Sequence, residues 1–249
     1  MRKRADVLLV ERGHFDSRAK AQAAIAAGLV IADGKPVRKA SESLAPEAVI
    51  EAQPAFPFVS RGGLKLEHAL DAFAVPVEGR IALDIGASTG GFSDVLLRRG
   101  AARIYAVDVG HDQLHASLRG NDRLISLEGL DARRLDRGLV PDPVDLVVAD
   151  VSFISLALVL PAALELATLG ADLAVLVKPQ FEAGRERVGK GGVVRDEAVH
   201  AEVCERIAGL VEALGWKVRG VVPSPIAGGD GNKEFLLSAQ RVSMAELAD

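Results

Sequence analysis

The sequence predicts an α/β protein: a mostly parallel sheet covered by helices on both faces, preceded by a small α+β module. Three observations carry this reading. Apolar runs recur at Arg80 to Ile85, Arg103 to Val107, Arg123 to Leu127, Asp145 to Ala149 and Asp172 to Val177, with helix-like segments between them. Such continuous runs suit strands buried on both faces. A glycine loop, Gly86-Ala87-Ser88-Thr89-Gly90-Gly91, joins the first run to a helix-like segment, Ser93 to Arg99. Residues 1 to about 50 differ in charge and punctuation from the rest.

Composition bounds the possibilities. The 249 residues accommodate one large domain and one small one. Hydrophobic residues make up 49% and aromatics only 4%, so the core must be mostly Leu, Val, Ile and Ala. Net charge is -4, so a nucleic-acid role must rest on local patches. Cys204 is the only cysteine. That excludes an intrachain disulfide and a Cys-rich zinc site, and fits a reducing, cytoplasmic setting. Met1-Arg2-Lys3-Arg4 leads into charged sequence with no long apolar stretch, so no leader is expected. The tract Val151 to Val177 is interrupted by Pro161, Glu165 and Asp172. It reads as helix, turn and buried strand rather than a membrane span.

The first module is legible element by element. Ala5 to Arg12 is helical and stopped by Gly13. Ser17 caps a second helix, Arg18 to Ala27, stopped by Gly28. Leu29-Val30-Ile31, Asp33-Gly34 and Lys35-Pro36-Val37 form a hairpin. Up to residue 40 there are nine basic residues against four acidic ones, a surplus of five on an acidic chain. The asymmetry suggests a phosphate-facing surface, with a solvated helical face as the plainer alternative. Gln53 to Phe58, punctuated by Pro54 and Pro57, reads as a linker. The predicted domains are therefore 1–52 and 60–249, joined by 53–59.

In the second domain Ser60 is expected to cap a helix carrying Lys65, Ala69, Leu70 and Phe73. Two late runs, Lys217 to Val222 and Phe235 to Ala239, complete the sheet edge. Ligands of open α/β sheets bind beyond the carboxyl ends of the strands. Gly86, Gly90 and Gly91 do not give the dinucleotide spacing, and Asp84 sits just before the first glycine. A carboxylate there would repel a pyrophosphate but can accept from an ammonium. S-adenosylmethionine offers an ammonium, a sulfonium and no phosphate, so the loop reads as a methyl-donor site. Asp108, ending the second strand, is placed for ribose hydroxyls, and Asp131, after the third, for an adenine amino group. Asp84, Gly86, Ser88, Gly90, Phe92, Asp108, Asp131 and Asp150 are the expected donor contacts. A strand-end Asp often only caps a helix. Three of them around one glycine loop make capping alone a poor account.

The methyl acceptor is constrained by the residues just past the fourth strand, Ala149-Asp150-Val151-Ser152-Phe153. A proline-rich, aromatic-ending motif, usual for amino-directed base methylation, is absent. Carbon-5 methylation of a pyrimidine needs a thiolate, but Cys204 lies in a helix-like segment, 197–214, away from the strand ends. Lys178 instead ends the fifth strand, and Asp150 ends its neighbour. A buried structural ion pair is the plain alternative. Lys65 follows Ser60-Arg61-Gly62-Gly63, and Glu234 opens the last strand. Five scattered histidines lack metal-ligand spacing; His111 and His115, four apart, are expected on a helix surface.

These residues carry a resemblance. The first module resembles the small S-four-type RNA-binding domain through Arg4, Asp6, Leu9, Ser17-Arg18, Ala21-Gln22, Ile25, Gly28, Val30, Gly34-Lys35, Val37 and Lys39. Lys65, Asp150, Lys178 and Glu234 resemble the Lys-Asp-Lys-Glu tetrad of FtsJ-type ribose 2′-O-methyltransferases. With Val59 to Leu66, Gly86 to Phe92, Ala149 to Ser155 and Val177 to Phe181, the chain resembles the TlyA family over nearly its whole length. The resemblance implies a Rossmann-like S-adenosylmethionine-dependent fold with an antiparallel last strand. It implies 2′-O-methylation of cytidine in ribosomal RNA, favouring the large subunit, with both subunits as the alternative; the displacement itself needs no metal. It implies a catalytic role for Lys65, Asp150, Lys178 and Glu234, and RNA contacts through Arg4, Arg18, Lys20, Lys35, Lys39 and Arg61. Lys178 would accept the proton of the ribose hydroxyl or stabilise its alkoxide. Phe56-Pro57-Phe58 departs from the family's Arg-x-Trp linker. The alternative is a non-catalytic RNA-binding or haemolysin-like protein that keeps the fold.

Overall fold

The computed structural model describes residues 2–243 and 245–246; Met1, Met244 and residues 247–249 of the predicted domains lie outside that description. The chain divides into two compact units, Met1–Ser60 and Arg61–Asp249.

The first unit runs β1 (Lys3–Arg4), α1 (Ala5–Glu11), α2 (Arg18–Ala26), β2 (Val30–Ala32), β3 (Lys35–Pro36), β4 (Ser43–Leu44) and β5 (Ile50–Ala52). The Ser17 hydroxyl accepts from the Lys20 N–H at 3.3 Å, which starts α2 as the sequence predicts. β2 pairs antiparallel with β3 and with β5, and β1 pairs with β4. Leu8, Leu9, Phe15, Ile25 and Val30 form its small core.

The second unit runs α3 (Gly62–Ala72), β6 (Ile81–Ile85), α4 (Gly91–Arg98), β7 (Arg103–Asp108), β8 (Leu124–Glu128), β9 (Val144–Ala149), α5 (Leu156–Glu165), β10 (Ala167–Val177), α6 (Pro179–Glu182), α7 (Glu197–Ala213), β11 (Trp216–Pro223) and β12 (Phe235–Arg241). Its sheet has the order β11-β12-β10-β9-β6-β7-β8. Pairings from β10 through β8 are parallel, whereas β12 is antiparallel to both β10 and β11. The central strands are as apolar as predicted: Leu83, Val147, Leu173 and Val175 are fully buried. Parallel pairing brings the ends of β6, β7 and β9 to one edge, with Asp84↔Ala106 and Ile85↔Ala149 in register.

Two local expectations are corrected. Ser60 does not cap α3: the cap position is Arg61, and it makes no side-chain cap bond. No helix forms between β7 and β8, so His111 and His115 do not share a helical face. The Glu128 carboxylate accepts from the Asp112 N–H at 2.8 Å and the Leu114 N–H at 3.4 Å, and Asp112 takes φ +54°. Those bonds hold the segment in turns, with Leu114 and Leu118 buried.

Candidate active site

The glycine loop is shaped by two close approaches. Gly86 has φ +79°, and a Cβ there would lie 2.6 Å from the Asp150 carbonyl oxygen. Gly90, at φ +88°, starts α4, and a Cβ there would meet the Leu118 and Leu114 side chains. Gly86 excludes a side chain for reasons of space as well as dihedral angle, because the close atoms are backbone; at Gly90 the left-handed angle is the stronger reason, because the close atoms are the ends of leucine side chains.

Beside this loop lies a cavity of about 390 Å³. Gly86, Ser88, Asp108, Gln113, Asp131, Asp150 and Ser152 supply its polar lining, and Val107, Leu130, Ala132 and Ile154 contribute apolar wall. Asp108 accepts from the Ser88 N–H at 2.8 Å and the Gly110 N–H at 2.7 Å, one bond on each oxygen. An ionised carboxylate has further lone pairs for ligand hydroxyls. Asp131 accepts from the Arg133 backbone and is gripped by its guanidinium. That pairing lowers the Asp131 carboxyl to about 2.

Three predicted donor contacts lie outside this lining. Asp84 is fully buried, and its Oδ2 accepts from the Ser93 hydroxyl at 2.7 Å. Burial above all raises its carboxyl to about 7, and the nearby Asp150 and Asp108 add to the rise. Gly90 is enclosed by the leucines named above, and Phe92 is packed in the interior at 4% exposure. The three residues shape the loop from beneath.

The four tetrad positions form two ion pairs. Lys178, following β10, places its Nζ 2.5 Å from Asp150 Oδ1 and donates to the Ser152 hydroxyl at 2.9 Å. Lys65, on α3, places its Nζ 2.5 Å from Glu234 Oε2. Both lysines and Glu234 are buried, whereas Asp150 lines the cavity. Asp150 therefore belongs to this cavity and to the lysine pair at once.

Sequence reasoning missed several residues here. Phe153 is 91% exposed and holds φ +65°, a conformation an aromatic residue rarely adopts. Its ring centroid lies 5.0 Å from that of Phe181, and Lys178 Nζ is 5.8 Å from the Phe181 ring. Phe153 lines the cavity beside the glycine loop and also a second cavity, of about 520 Å³, with Gln180, Phe181, Arg185 and Gly192. Glu182 holds this region together by accepting from the Ser155 hydroxyl and the Leu156 N–H, both at 2.7 Å. An exposed phenylalanine directly after a strand-end Asp-Val-Ser was the available signal. Cys204 is partly buried on α7, and burial pushes its thiol up to about 11. A nucleophilic thiol needs the opposite shift.

In the first unit, Arg4 and Arg18 converge on buried Asp6, at 3.0 and 2.7 Å. Gln22 donates to the same carboxylate at 2.8 Å, and these partners hold it well below the usual carboxylate range. Lys20 pairs with Asp16 at 2.7 Å. Lys35, Lys39 and, in the second unit, Arg61 are exposed. Among the described residues no group of three or more His, Cys, Asp and Glu could hold a metal ion. No helix of the described residues is long and apolar enough to cross a membrane.

Comparison with known proteins matches residues 58–241 to the FtsJ-like methyltransferase model and residues 3–50 to the S4 domain. The "16S/23S rRNA (cytidine-2'-O)-methyltransferase TlyA" of Mycobacterium tuberculosis is 48% identical over 95% of this chain and 89% of its own. "Hemolysin A" of Brachyspira hyodysenteriae is 38% identical over 94% of this chain and 98% of its own. A solved structure designated a haemolysin, from Streptococcus thermophilus, superposes with a TM-score of 0.77 at 41% identity. It covers 97% of this chain and 89% of its own.

Proposed function

The chain belongs to the FtsJ-like methyltransferase family, and we propose that it transfers a methyl group from S-adenosylmethionine to the 2′-hydroxyl of a cytidine in ribosomal RNA. The observation that carries this reading is the Lys178–Asp150 pair at 2.5 Å, one member of which lines the donor cavity.

The donor supplies an electrophilic methyl group on a sulfonium. The cavity suits it: Asp108 and Asp131 offer acceptors to hydroxyl and amino groups, the apolar wall offers a surface to an adenine ring, and no lysine or arginine lines it to oppose the positive charge. Asp84 shapes the loop beneath the donor rather than touching it.

Transfer is an in-line displacement in which the carbon–oxygen bond forms as the carbon–sulfur bond breaks. The ribose hydroxyl must lose its proton or have its developing oxyanion stabilised. Lys178 performs that task, held by Asp150 and Ser152. Lys65 and Glu234 form the second wall of the acceptor site. Phe153 offers an exposed ring face to the acceptor base, and stacking of that kind tolerates any base. The first unit brings RNA to the site through Arg4, Arg18, Lys20, Lys35 and Lys39, with Arg61 contributing from the second. Arg4 and Arg18 are half exposed while they clasp Asp6, so each presents remaining donors to phosphate. The large ribosomal subunit is the favoured substrate, and the cytoplasm the place of action.

Methylation of purified ribosomal subunits with labelled S-adenosylmethionine, followed by mapping of the modified nucleotide, tests the substrate. A label on a cytidine 2′-oxygen supports the reading. Label on a base, or none on either subunit, contradicts it.

A further inference from the structure

Two loops meet beside Glu234. One spans residues 184–196, between α6 and α7; the other spans 224–234, between β11 and β12. Along the second loop, burial alternates as it approaches β12. Asn232 is 1% exposed and Glu234 4%, with exposed Lys233 between them. Asn232 and Glu234 thus face the interior together.

The Asn232 side chain is engaged at both ends by the other loop. Its Oδ1 accepts from the Val194 N–H at 3.0 Å, and its Nδ2 donates to the Gly192 carbonyl at 2.9 Å. Val194 is buried, and its carbonyl accepts from His200 Nε2 at 3.0 Å. His200 is itself buried on α7, with its ring centroid 5.5 Å from that of Phe235. Both polar groups of Val194 are therefore taken by side chains, one from each neighbouring element. Within its own loop, the Asn232 carbonyl accepts from the Gly228 N–H at 2.9 Å. Gly228 in turn packs on the Glu234 carboxylate, where a Cβ would lie 2.6 Å from Oε1.

We propose that Asn232 is a positioning residue for methyl transfer: its amide clasps the 184–196 loop and so fixes the Glu234 carboxylate against Lys65. The inference rests on the tetrad role of Glu234 proposed above. The physical reason is the cost of a loose end. A buried loop N–H and carbonyl without partners each carry a desolvation penalty. Losing the amide frees both and lets the loop that carries Glu234 shift. Gly192 also lines the second cavity beside Phe153 and Phe181, so the same clasp holds that wall. Nothing in the clasp reaches the donor cavity, whose lining includes none of these residues.

The test is a double-mutant cycle on the full chain with Asn232→Ala, Glu234→Gln and the pair. Three quantities are measured: the single-turnover rate of methyl transfer to ribosomal subunits, S-adenosylmethionine affinity by calorimetry, and Tm. Asn232→Ala is expected to lower the rate about tenfold with donor affinity unchanged, and to add less than about twofold in the Glu234→Gln background. Equal losses in both backgrounds, or no loss in the native one, overturn the clasp. A native rate for Glu234→Gln alone removes the tetrad role of Glu234, and the proposal with it. Should Asn232→Ala fail to fold, Asn232→Gln serves instead, with the same three measurements and the same cycle against Glu234→Gln; equal losses in both backgrounds, or no loss in the native one, again overturn the proposal.

Discussion

Lys65 on the first helix of the methyltransferase unit and Glu234, the residue just before its last strand, form a buried ion pair at 2.5 Å, across 169 residues of sequence. The pair joins the two ends of the unit at the point where the acceptor ribose is proposed to sit. Removing one partner of such a pair leaves an uncompensated buried charge. Glu234→Ala is therefore expected to destabilise the fold by about 3–5 kcal/mol, whereas the apolar pair Lys65→Met with Glu234→Leu recovers most of that loss. Denaturant unfolding measures both. Methyl transfer stays low in the double variant, because restored packing does not restore the charges.

Gly86→Ala tests the glycine loop. Its Cβ would sit 2.6 Å from the Asp150 carbonyl oxygen, at a φ of +79°. The loop must move away from Asp150, and the donor cavity changes shape with it. S-adenosylmethionine affinity is expected to fall at least tenfold, about 1.4 kcal/mol, in a calorimetric titration, while binding of RNA is unchanged.

Asp84 gives the fold a pH signature. Burial raises its carboxyl from an ordinary 3.8 to about 7. Between those values the folded state holds a proton that the unfolded state has released. The contribution of Asp84 to stability is therefore greatest in acid and is lost as pH rises to about 7, above which it levels off. The Tm of the ligand-free protein is expected to carry this fall between about pH 4 and about pH 7, and Asp84→Asn to flatten it. Identical pH profiles for the two proteins would contradict the assignment.

The first unit predicts salt dependence. Exposed Lys35 and Lys39 carry no ion pair among the described residues, in contrast to Arg4 and Arg18 on Asp6. Replacing Lys35 or Lys39 with Ala is expected to leave Tm unchanged and to lower the slope of log affinity against log salt by about one for each phosphate no longer neutralised. Arg18→Ala is expected to change both, because it also opens the Asp6 clasp. Titrations at several salt concentrations separate these behaviours.

The central parallel strands were legible because strands buried on both faces leave continuous apolar runs, and they overlap those runs; β8, at the sheet edge, is only partly buried. The Lys178–Asp150 pairing was legible because a lysine closing a buried apolar strand needs a partner, and Asp150 closes the neighbouring one. The missing helix after β7 was not, because Asp112 takes φ +54°, a left-handed backbone angle that the spacing of His111 and His115 does not announce. The placement of Asp84 and Phe92 beneath the loop was hidden for a related reason: a motif names the residues around a ligand without saying which of them face it. The exposed Phe153 depends on a backbone angle that no side-chain pattern announces. The Asn232 clasp depends on a partner 38 residues away.

The central claim is that Lys178, oriented by Asp150, acts on the ribose hydroxyl. The most direct measurement is the single-turnover rate of methyl transfer to ribosomal subunits by Lys178→Ala and Lys178→Arg, with S-adenosylmethionine affinity measured alongside. Lys178→Ala is predicted to bind the donor normally and to transfer about a hundredfold more slowly or worse. Substantial activity in Lys178→Arg, whose guanidinium keeps its charge but does not act as a base near neutral pH, assigns the role to oxyanion stabilisation; loss in both assigns it to proton removal. A near-native rate for Lys178→Ala would contradict the account.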